Sequence, residues 1–107
     1  MYKRQVEQLE GVGVSDLDNR TRQQLRIPPQ IQGALVTQVD PDSKAAEAGL
    51  REGDVILEIN RQPVTNADEA VRLSERAKGD RVLLRIYTVQ NGQGATDYLS
   101  VEATKKK

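Results

Sequence analysis

Cysteine and histidine are both absent from the 107 residues. Without cysteine there is no disulfide framework and no thiol chemistry, and the redox compartment leaves no trace in the composition. Without histidine the usual general base, the usual metal ligand and the usual pH switch are missing together, so a serine triad within this chain is excluded. Phenylalanine and tryptophan are also absent. The core must then be built from aliphatic side chains, with Tyr87 and Tyr98 at its margins. No apolar run approaches the ~20 residues of a membrane span, and Met1-Tyr2-Lys3-Arg4 is not followed by the apolar core of a signal peptide. Net charge of one sign is lacking too. Sixteen basic and sixteen acidic residues alternate along most of the chain, which gives no electrostatic footprint for nucleic acid. Lys3-Arg4 and Lys105-Lys106-Lys107 read as solvated ends.

What is present is concentrated between Ser43 and Asn60. Ser43 is a good helix N-cap, and Glu47 falls near the position from which a capping partner reaches back. Ala45, Ala46 and Ala48 make a small apolar face that lets a short helix lie close to a sheet. Gly49 stands where the chain must leave that helix with positive φ, and Gly53-Asp54 permits a second reversal. Val55, Ile56, Leu57 and Ile59 form a buried strand ending at the turn-tolerant Asn60.

The remaining segments fall around this unit. Gly11 and Gly13 lie among Val12, Val14 and Leu17, a glycine-bearing loop running into a short strand. Asp18-Asn19 caps a helix over 20–25 that Pro28-Pro29 prevents from continuing. Residues 32–39 read as a strand and Asp40-Pro41-Asp42 as a turn. After the Asn60–Val64 turn, Thr65 or Asn66 caps a helix reaching about Lys78, ended by Gly79-Asp80. Strands over 81–89 and 95–103 flank Gln90-Asn91-Gly92-Gln93-Gly94, in which Asn-Gly is a hairpin signal. One domain suits this length. The expected class is α+β, mainly β: a small β-sandwich or partly open barrel capped by two helices.

The string A-A-x-A-G-L-x-x-G-D-V-I-L-x-I-N over 45–60 resembles the signature segment of PDZ domains, above all those of bacterial HtrA-type (Deg-family) serine proteases. The resemblance extends from Leu9 to Glu102. It implies a domain over 9–102, an N-terminal extension over 1–8 and a tail over 103–107, with no cofactor, no metal and no nucleic-acid partner. It also implies binding of an extended peptide, often a free C-terminus, as one more strand on a sheet edge beside a helix. The peptide carboxylate would be held by backbone N–H groups of the loop Leu9-Glu10-Gly11-Val12. Val12-Gly13-Val14-Ser15 would be the receiving edge. Ala70, Leu73 and Ala77, on one helical face, would line the groove. A second register, reading the loop as Gly11-Val12-Gly13-Val14, stays open, as does a plain turn-and-bulge role for the two glycines.

Glu10 departs from the family, which usually has an apolar residue before this glycine, and its charge opposes a bound carboxylate. Leu-Glu-Gly at the start of the domain is most similar to the second PDZ domain of these proteases, in which domain contacts and assembly often replace tail capture. Two functions are therefore expected as alternatives. One is a reader of peptide or unfolded-protein C-termini that regulates or feeds a serine endopeptidase. The other is an assembly module contacting the protease domain and sister PDZ domains. The resemblance places the parent protein in the periplasm. Asp16, Asp18, Asp40, Asp42 and Asp54 lack the spacing of a calcium loop and read as turn and cap residues. Ser15, Ser43, Ser74 and Ser100 have no base to activate them.

Overall fold

The computed structural model describes residues 4–5, 11–76 and 81–102. The elements run β1 (Arg4–Gln5), β2 (Val12–Asp16), α1 (Asn19–Leu25), β3 (Ala34–Val39), α2 (Lys44–Ala48), β4 (Val55–Ile59), β5 (Gln62–Pro63), α3 (Ala67–Arg76), β6 (Arg81–Gln90) and β7 (Gln93–Glu102). The strands join in one open antiparallel sheet, ordered β1-β2-β3-β4-β6-β7, with β5 attached to β4. The mainly-β α+β architecture expected from the sequence is present. Among the described residues three helices accompany it, α1 lying where the sequence places a capped helix over 20–25.

The local signals act where the sequence places them. Asp18 Oδ1 accepts the Thr21 N–H at 2.8 Å and starts α1. Ser43 Oγ accepts the Ala46 N–H at 3.1 Å and starts α2. Gly49, at φ 108°, ends α2, and the Leu50 N–H returns to the Ala45 carbonyl at 3.0 Å, a left-handed stop that only glycine adopts without cost. Glu47 does not reach back to the cap. It stands four residues beyond Ser43, one past the position a reciprocal cap requires, and pairs instead with Lys44 at 3.8 Å.

Asn91 (φ 54°) and Gly92 (φ 77°) form a two-residue turn that brings Gln90 opposite Gln93. Both φ values match the mirror-image turn whose twist suits a hairpin. The flanking strands therefore run to the turn itself, beyond the expected 81–89 and 95–103. In contrast, β3 starts at Ala34 rather than at residue 32. Gly33 is buried against β4, where a Cβ would collide with the Ile56 carbonyl oxygen.

Alternation along the strands gives the sheet two apolar faces. Val12, Val14, Val36, Ile56, Val82, Leu84 and Ile86 belong to the larger core, with Ala45, Leu50, Ala67 and Ala70 contributed by or next to α2 and α3. Each fully buried valine or isoleucine there contributes ~1.5–3 kcal/mol relative to an exposed one. Leu35, Val55 and Tyr87 form a smaller cluster on the opposite side with Ile27. Tyr87 is buried, while Tyr98 is 56% exposed with the Arg85 guanidinium 5.9 Å above its ring.

Candidate functional site

The site is built around β2. At its start Gly11 has φ 85°, and its carbonyl accepts the Asp40 N–H at 2.8 Å. A Cβ at this position would lie 2.6 Å from Asp40 Cβ and 3.3 Å from Ser43 Cβ. Backbone conformation and close approach each demand glycine here. Val12 and Val14 are fully buried in the main core, and Ser15 is buried, as the period of two requires of a strand covered on both sides.

Gly13 has no positive φ; it adjoins an irregularity in the β2–β3 ladder. Gly13 faces Gln38 and Val14 faces Val36, so Thr37 is the extra residue of a bulge. Gly11 is thus a turn residue at the start of β2 and Gly13 a bulge neighbour within it, on the strand that contacts α3.

The second wall is α3. Asn66 Oδ1 accepts the Glu69 N–H at 2.8 Å, and Glu69 in turn accepts the Thr65 N–H at 2.8 Å and its hydroxyl at 2.6 Å. The Thr65 hydroxyl and N–H hold the Glu69 carboxyl below its ordinary range. The Ala67 N–H is bound from a distance, by Asp16 Oδ1 at 2.8 Å. Asp16 ends β2, so this bond fixes the strand and the helix N-terminus relative to each other.

Of the three residues expected on one groove-lining face, Ala70 is fully buried in the main core. Leu73 is partly buried and borders a shallow cleft with Gln62, Pro63 and Thr65, on the β5 side of the helix. Ala77 lies outside the described residues, as do Leu9 and Glu10. Val71, about 160° around the helix from Leu73, is the partly buried apolar residue on the flank turned away from β5. The pattern Val71-x-Leu73 in a sequence does not tell which flank meets the sheet edge, because both lie beside the buried Ala67-Ala70-Ser74 stripe.

The far edge of β2 carries a strand. Arg4 pairs with Val14 and Gln5 with Gly13, antiparallel, and both β1 and β2 contact α3. The sequence reading placed Arg4 and Gln5 in an extension outside the domain and left the β2 edge open. No local signal distinguishes them, since a two-residue strand of polar side chains carries no periodicity. Among the described residues no group of three or more carboxylates is arranged to hold a metal ion.

A glycine-led strand set beside a helix in a small antiparallel sheet, its outer edge paired with one further short strand, defines a mainly-β domain whose groove-forming elements are β2 and α3. Residues 35–88 match the PDZ domain family, and the chain is a PDZ domain, a non-catalytic module. Over 94 residues, 87% of this chain, it is 33% identical to a protein of Marinomonas sp. (strain MWYL1) named as a probable periplasmic serine endoprotease, DegP-like. The chain spans only about a fifth of that relative's length and 16% of a similar Chlamydia pneumoniae protein. Among solved structures, the HtrA3 PDZ domain bound to a phage-derived ligand (FGRWV) has the same fold. Its TM-score is 0.69 at 18% identity, over 88% of this chain and 83% of that one. The HtrA-type protease AlgW with a decapeptide matches at TM-score 0.65 and 27% identity, over 91% of this chain and 29% of that one.

Proposed function

We propose that this PDZ domain belongs to a periplasmic HtrA-type serine endoprotease, most like the second such domain, and reads extended or C-terminal peptide segments to regulate or feed the protease. One observation carries the reading: the β2 edge beside α3 already holds an antiparallel strand. Its geometry suits strand addition, the mode by which an extended ligand gains affinity from main-chain hydrogen bonds. Leu9, Glu10, Gly11 and Val12 would receive the carboxylate, Val12 to Ser15 the ligand backbone, and Val71 the ligand side chains on the helical wall. Ala70 would support that wall from the core, and Leu73 would border its β5 flank.

The partners are unfolded-protein C-termini, the protease domain and sister PDZ domains. Affinity for a short free peptide would be weak, because the contact is small and the peptide must be ordered. Occupation of the β2 edge by β1 favours a second reading, an assembly module with negligible binding of free peptide.

An NMR titration separates the two readings. Peptides with free apolar C-termini should shift the amides of residues 11–16 and 67–76, and amidation of the same peptides should abolish the shifts. No shifts at millimolar peptide would assign the domain to assembly.

A further inference from the structure

We infer that β1 is a built-in competitor for the peptide groove: residues Arg4–Gln5 occupy the β2 edge as a pseudo-ligand that an incoming chain terminus must displace. The inference rests on the peptide-reading function above and concerns its regulation.

Three features of the fold support it. First, β1 lies on the outer edge of β2, pairing Arg4 with Val14 and Gln5 with Gly13, and it also contacts α3. A peptide added as a strand between these same elements needs the backbone groups of Gly13 and Val14 that β1 faces. Both cannot be paired there at once.

Second, the polarity is that of a tail. Because β1 is antiparallel to β2, its C-terminal residue, Gln5, faces Gly13, nearer the Gly11 end than Arg4 does. A peptide running the same way would bring its terminal carboxylate toward Gly11. In β1 the chain instead continues into Val6, so the internal strand has no carboxylate to offer. A free C-terminus therefore gains an interaction that β1 lacks, and exchange is possible in principle.

Third, β1 is short and tethered. Two residues supply little pairing energy, but five intervening residues, 6–10, keep the strand close to its site. A short tether gives an effective concentration of order millimolar. A weak internal strand held at that concentration competes well with weak peptides and poorly with tight ones. The apparent Kd of every ligand is then raised by one common factor, the reciprocal of the fraction of time the groove is free.

The test compares the full chain with Arg4→Pro/Gln5→Pro, which removes both N–H donors of β1. The probe is the same set of peptides with free apolar C-termini, alongside amidated controls, with Kd read from amide shifts. The variant is expected to bind about tenfold more tightly, the gain for a groove free about a tenth of the time.

A second variant, lacking residues 1–5, keeps the inference open to refutation if the prolines perturb folding, since it removes the competing strand and alters no residue of the receiving edge. It too should bind about tenfold more tightly. Equal Kd values for wild type and both variants would overturn the competition while leaving the peptide-reading function standing. Failure of wild type and both variants alike to bind would overturn both.

Discussion

The carboxylate of Asp16 accepts the backbone N–H of Ala67 at 2.8 Å across 51 positions of sequence. One side chain thus satisfies an otherwise orphaned donor of α3 and holds that helix against the end of β2. Asp16→Ala is expected to cost about 1 kcal/mol, as loss of a helix cap does, and Asp16→Asn, which keeps an acceptor, less. Urea denaturation gives the comparison. An alanine variant as stable as wild type would mean the bond does not bear on the helix.

The two flanks of α3 should behave differently in binding. Val71→Glu places a charge on the flank turned away from β5 and should weaken peptide binding at least severalfold. Leu73→Glu places one beside Gln62 and Pro63 and should leave binding near wild type. Titration of both variants with one peptide decides the matter; the reverse order would put the groove on the β5 side.

Burial and conformation make separable demands on glycine. Gly33→Ala would drive a Cβ into the Ile56 carbonyl oxygen and to 2.8 Å from Val55 Cγ1, so β3 and β4 must separate, at ~2–3 kcal/mol. Gly53 has φ 93° but nothing within 4 Å of an added Cβ. Gly53→Ala should therefore cost only the ~1–2 kcal/mol of a left-handed alanine. Equal losses in urea midpoint at unchanged slope would contradict this division.

Asp54 is 5% exposed, and burial pushes its carboxyl above the ordinary range, against the opposing bonds from Thr88 and the Arg51 N–H. The native state then holds this proton more tightly than the unfolded chain does. Its contribution is greatest below the unfolded value and fades as pH rises through the raised native value. Relative to Asp54→Asn, wild type should gain stability as pH falls from about 7 to about 4. A difference independent of pH would mean the carboxyl is not perturbed.

Much of this was legible in the sequence because it is local. Asp18, Ser43 and Gly49 cap the helices within a few residues of themselves, and Asn91-Gly92 closes a hairpin by its own backbone preference. The 45–60 run carried the family because helix, stop, turn and strand follow one another without interruption. Asp16 was legible as a turn or cap residue, but its partner was not, since Ala67 is brought near only by the folded sheet. The same holds for β1, whose place is set by an open edge and not by its residues, and for Val71, whose flank depends on how α3 is rotated over the core. The distant contacts that assemble the groove are the ones a linear reading passes over.

The β6–β7 hairpin, with its two-residue turn, also sets an order in time. Its ten facing pairs close with almost no loop to confine, an event of microseconds in isolated hairpins, whereas the Asp16–Ala67 bond must wait for a long loop to shut. The hairpin is expected early in folding and the groove late. Gly92→Ala should accordingly slow refolding, and Asp16→Ala should chiefly hasten unfolding. The part of the molecule that meets a partner would then be the last to form and the first to open.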